Sequence, residues 1–403
     1  MKHQSKAPQA RVAVATRPSS IPLYALFALA LFFLAGGANA QGYGRDGEVR
    51  YERKRWAHDE LPSDLKSEVV DAISAWGPWA EEHGYILLLD ETKKAILAVE
   101  KRDRTAMKQL KVTDEALAML KELKLIQDKA PEAQTPQPDT LSLDDPAQEG
   151  SWGSAKGSDP NRIPVIALVH NQETLDSVLE HWMRLRPELN WHSDVQRTLS
   201  SFISPDPLFA VLVTRDTKRN EWDLNHETSA LLTRLILRRD YGKLPAWIEA
   251  GLTWQVETRL FNSIWHFFGS GSRFIASSSH SGWEKELRQR ARKHQLDGSI
   301  FDSASSFDPE EWSMHEAQLA WGLMGFLSDE LGEKLPDCLG SLRDLREEGS
   351  RVIQGDGSWS YDTSYLPPSS QQFGVIGDLL GDDFEELVLK GMKRGMKRSG
   401  EMR

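Results

Sequence analysis

Four short apolar runs constrain the fold of this chain most: Tyr85–Leu89, Ala95–Val99, Pro164–Val169 and Leu208–Val213. Each is rich in Val, Ile and Leu and is bounded by polar or Pro-containing segments, which predicts buried strands rather than helices. Asp90–Lys94 reads as a tight polar turn that joins the first two runs. Elsewhere the apolar residues recur at helical spacing. Leu65, Val69, Val70, Ile73 and Trp76 predict a helix behind Pro62-Ser63-Asp64, Ala116, Leu117, Leu120 and Leu123 a second over 113–126, and Leu175, Val178, Leu179 and Trp182 a third over 173–183. Few strands among many helices place the chain in the α+β class.

Residues 128–162 differ in character, with Pro131, Pro136, Pro138, Pro146 and Pro160 set among Gln, Ser, Asp and Gly. A stretch so poor in large apolar residues does not offset its ordering entropy, and it predicts a flexible linker and a domain boundary. The organisation expected is a polar lead-in over 41–60, a small α+β domain within 41–127 with no assigned role, the linker, and a mainly helical second domain over 163–403 with a small α/β edge. Helices are expected in that domain over 224–240, 245–261, 283–294 and 311–331, with a last one from about 382. Its many Trp residues, among them Trp247, Trp254, Trp283 and Trp321, fall at apolar helical positions and read as core.

The N-terminus carries Lys2, Lys6, Arg11 and Arg17 before an apolar run from Ile21 to Ala35, and Ala38-Asn39-Ala40 follows. That order is a secretory signal peptide over 1–40, cleaved after Ala40, and the run is shorter than the roughly 20 residues of a spanning helix. The protein is therefore expected outside the cytoplasm, in a periplasm or beyond, with no stable membrane insertion. Removing four cations and no acid takes the net charge from −11 to −15. So acidic a surface argues against nucleic acid or an anionic membrane as main partner. The single Cys, Cys338, excludes an intramolecular disulfide, so stability rests on packed cores.

One stretch carries chemistry: Asn225-His226-Glu227-Thr228-Ser229-Ala230-Leu231, followed by Ala250-Gly251-Leu252. Zinc hydrolase helices place two His four residues apart, so that both rings share a face, with a Glu beside the first as general base. Here His226 and Glu227 are present and Ala230 stands at the second His position. A strand just ahead of that helix, the Leu244-Pro245-Ala246-Trp247 turn, the helix Ala250-Gly251-Leu252-Thr253-Trp254-Gln255-Val256-Glu257 and the apolar helix Gln318–Leu327 follow in order.

Taken together, residues 163–395 resemble the peptidase-MA-like gluzincins, exported relatives of the thermolysin-type zinc peptidases. Carried over, the resemblance makes His226 the first zinc ligand and Glu227 the general base, with Ala230 and Ala250 at the second and third ligand positions. Glu249 adjoins the third position but lies about 100° round the helix. His315, with His266 and His280, is a substitute ligand that no spacing selects. The transition-state Tyr of the family has no match on the 311–327 helix. The resemblance thus implies a vestigial site in a non-catalytic homologue that needs no cofactor and acts as a binding or scaffolding module for a peptide or an envelope protein. An active peptidase with an altered ligand set would bind zinc.

Overall fold

The computed structural model describes residues 49–51, 54–56, 61–126 (without 62 and 64), 162–185, 201–205, 208–214, 224–264, 280–296 (without 294), 314–353, 359–361 and 365–394 (without 382). The expected signal peptide and almost all of the expected linker lie outside these residues, as does His266. Residues 44–403 form one compact unit. It is mainly helical with a mixed sheet, an α+β arrangement.

The sheet has seven strands: β1 (Val49–Tyr51), β2 (Lys54–Trp56), β3 (Tyr85–Leu89), β4 (Ile96–Glu100), β5 (Val165–Val169), β6 (Ser201–Pro205) and β7 (Leu208–Val213), in the order β2-β1-β3-β4-β5-β7-β6. β4, β5 and β7 run parallel side by side. β3 lies antiparallel to β4 and β6 antiparallel to β7. The boundary expected between 127 and 163 does not divide two folding units, because β4 pairs with β5 from Ile96↔Val165 to Val99↔Leu168. A strand as apolar as β4 left at an edge would expose a row of unpaired backbone groups, and β5 satisfies them. The lead-in over 41–60 likewise contains β1, recruited parallel to β3, and β2.

Both faces of the sheet are covered, which is why its central strands read as unbroken apolar runs rather than alternating ones. On one face α1 (Ser67–His83) and α3 (Gln172–Leu185) bury Val69, Ile73, Trp76, Val178 and Trp182 against Leu87, Ala98, Ala167 and Phe209. Trp76 stacks on Phe209 with centroids 4.3 Å apart. The other face carries α2 (Ala106–Glu122) and α4 (Leu224–Tyr241), packed on Leu97, Ile166, Leu168 and Ala210. α2 begins earlier than its apolar stripe suggests, because Asp103 Oδ1 accepts from the backbone N–H of Thr105 at 2.7 Å and from its hydroxyl at 2.8 Å, fixing the turn that enters the helix.

The remaining helices extend that second core outward: α5 (Ala246–Phe261), α6 (His280–Arg292), α7 (Met314–Leu331), α8 (Leu335–Gly349), α9 (Ser369–Leu380) and α10 (Phe384–Arg394). α8, α9 and a hairpin of β8 (Arg351–Ile353) with β9 (Trp359–Tyr361) are elements the apolar spacing does not announce. Trp254, Trp283 and Trp321 meet edge to face and are buried, as is Trp247. α5 and α7 cross closely at Gly251, where an added Cβ would stand 2.5 Å from the Ala320 carbonyl oxygen and 2.6 Å from Met324 Cγ. The Gly251 of the Ala-Gly-Leu motif is thus required by packing.

Candidate functional site

α4 is buried along almost its whole circumference, since His226–Thr233, Leu235–Leu237 and Arg239–Tyr241 are all covered. A helix buried all round lies at the centre of a fold rather than on its surface. It packs on the sheet, α2 and α5 at once. Its polar residues are matched to neighbours: Ser229 Oγ donates to the His226 carbonyl at 2.9 Å and Thr233 Oγ1 to the Ser229 carbonyl at 2.8 Å.

The residues flanking the His-Glu pair are gripped from α2. Gln109 Nε2 donates to Asn225 Oδ1 at 2.8 Å, and Thr228 Oγ1 donates to Gln109 Oε1 at 2.9 Å. One buried amide, on the segment to which the sequence assigns no role, therefore clamps both sides of His226-Glu227. No sequence signal marks Gln109, because its partners lie far along the chain.

His226 is only 4 % exposed, as is Glu227. The imidazole Nε2 is 2.8 Å from Ser263 Oγ, and the ring lies 4.4 Å from that of Phe261. Phe261 is the last residue of α5, and Ser263 lies two residues beyond it. At the near end, Glu249 accepts from Arg234 Nε at 2.7 Å and from Arg238 at 3.1 Å. Burial alone would raise the Glu249 carboxyl, but the Arg238 and Arg234 guanidiniums overcome it and hold the group down at about 2. Glu249 is thus the anion of a buried ion-pair cluster. The signal for it was Arg234 and Arg238, one helical turn apart in the second half of α4.

These two contacts fix α4 and α5 as an antiparallel hairpin with its apex near Gly242-Lys243. Ala250 follows Glu249 in the first half of α5 and is fully buried. Glu257, in the second half of α5, is fully buried. Ala230 itself is buried one turn from His226.

His315 is exposed on the first turn of α7 and the side chain of His280 is outside the described set. Among the described residues, no group of three His, Cys, Asp or Glu gathers so as to hold a metal ion. The donor set does not fit a catalytic zinc, which requires three protein ligands and an open position. The arrangement can bury, orient and brace a histidine and a carboxylate. The sequence matches no protein-family model, and no curated protein matches it.

Proposed function

We propose that this protein is an exported, non-catalytic homologue of the gluzincin zinc peptidases that acts as a binding or scaffolding module for a peptide or an envelope protein. The observation that carries the reading is the environment of His226. The ring nitrogen that would face a metal is taken up by Ser263, the next turn offers only Ala230, and the acid nearest the expected third position, Glu249, is committed to two arginines. Three features support the ancestry: β7 precedes α4 in the chain, α4 packs on the sheet and on α5, and α7 packs behind α5 at Gly251. Export rests on the N-terminal residues alone. No helix among the described residues is long and apolar enough to cross a membrane.

Metal analysis of the purified protein tests the loss of catalysis. The expected result is zinc well below stoichiometric; near-stoichiometric zinc that disappears together with peptidase activity in His226→Ala would instead establish an active enzyme. The ancestry has its own test. In Ala230→His combined with Ala250→Glu the two restored side chains should converge with His226 on one point, and zinc affinity should appear. Unchanged metal content in the folded double variant would sink the proposed kinship.

A further inference from the structure

A second set of polar side chains gathers at the carboxyl ends of the parallel strands. His170 directly follows β5, Glu100 ends β4, Asp103 lies in the turn from β4 to α2, and Thr214 directly follows β7. His170 Nδ1 is 2.6 Å from Thr214 Oγ1, and Thr214 is tied back to the Val169 carbonyl through its hydroxyl at 3.1 Å and its N–H at 2.7 Å. His170 Nε2 lies 2.9 Å from Glu100 Oε2 and 3.6 Å from Asp103 Oδ2, an ion pair with two carboxylates. The imidazole is nearly buried and Asp103 more so, while Glu100 is partly exposed. The chain leaves β4 toward the face carrying α2 and leaves β5 toward the face carrying α3, so this cluster spans the point where two neighbouring strands diverge.

Among the described residues, the charged groups in contact with His170 are carboxylates. Glu100 comes from β4 and Asp103 from the following turn, and Tyr85 of β3 bonds Thr174 and the backbone of His170. Burial, helped by the Glu100 charge, holds the Tyr85 phenol above its ordinary range, so it stays neutral. A protonated ring donates to Thr214 and neutralises the two carboxylates; a neutral ring leaves them facing each other uncompensated.

Asp103 makes the cluster more than a local ion pair. Its other oxygen holds Thr105, whose carbonyl accepts from the Gln109 N–H at 2.9 Å in the first turn of α2, and Gln109 in turn clamps Asn225 and Thr228 around His226-Glu227. We infer that protonated His170 is a pH-sensitive latch: it locks the open end of the β4–β5 seam and the start of α2, and through Gln109 the grip on the first turns of α4. The latch is closed in acid. It opens when the ring loses that proton as the pH rises.

Hydrogen exchange on the purified full chain, with protection factors corrected for intrinsic exchange, tests this. Between pH 5.5 and 8, amides in α2 and over 224–232 of α4 should lose about tenfold in protection, while those of α8 hold steady. In His170→Gln the pH dependence should vanish, and Glu100→Gln, which keeps the ring and removes its nearest charge, should shrink it if the first variant does not fold. In Gln109→Leu the loss should persist in α2 and disappear from α4. A wild-type protein without the change, or a change of equal size in His170→Gln or Glu100→Gln, overturns the latch. A loss confined to α2 in the wild type overturns its coupling to α4.

Discussion

At the scale of single residues, Glu249 shows how a plausible ligand becomes a structural anion. Its carboxylate is buried and shared by Arg234 and Arg238, which are themselves largely covered. Because its pKa is held at about 2 instead of the ordinary 4.5, the group contributes stability above pH 4.5 and loses it as the pH falls towards 2. Glu249→Gln should therefore cost about 3 kcal/mol at pH 7 and almost nothing at pH 2, measured by urea unfolding at both. Equal costs at the two values would mean that packing and not charge is lost. The identity of this role was within reach of the sequence, since Arg234, Arg238 and Glu249 are close along the chain. The engagement of His226 by Ser263 was not, because it depends on where α5 ends relative to where α4 begins.

At the scale of elements, most of the helices and the four central strands could be read from apolar spacing, and their bounds moved by a few residues at most except at α2. What escaped were elements whose stability comes from neighbours rather than from their own pattern: β1, β2 and β6 beside stronger strands, and α8 and α9 against the end of the helical core. The pairing of α4 with α5 is the instructive case. Which turns of α4 meet Ser263 and which meet Glu249 depends on how the two helices pack, a relation that spacing along either helix does not state. The crossing of α5 on α7 yields a prediction at this scale. Gly251→Ala must push the two helices apart or displace the Ala320 carbonyl, since backbone is what the new methyl meets. A cost of about 2–3 kcal/mol is expected, seen as a lowered denaturant midpoint with an unchanged slope. A midpoint within experimental error of the parent would show that the crossing has slack.

At the scale of the whole molecule, the two halves expected from the sequence are one body. The composition of 128–162 did announce a break in the chain, but strand partnership is a long-range property, and nothing in β4 or β5 alone states that each completes the other. Residues 163–403 expressed alone should therefore fail to reach a cooperative fold, with β5 left as an edge and α4 stripped of Gln109. Adding residues 41–127 as a separate chain should restore cooperative thermal unfolding. A sharp transition from the shorter piece by itself would show the second core to be self-sufficient.

The same seam sets a timetable for the nascent chain. β4 ends at residue 100 and its partner begins at residue 165. At 5–20 residues per second, an apolar edge stays open for about 3–13 s while the intervening stretch is made. During that interval the chain is a target for sticking to copies of itself. A holding chaperone, or threading across a membrane before β5 appears, would be the natural protection.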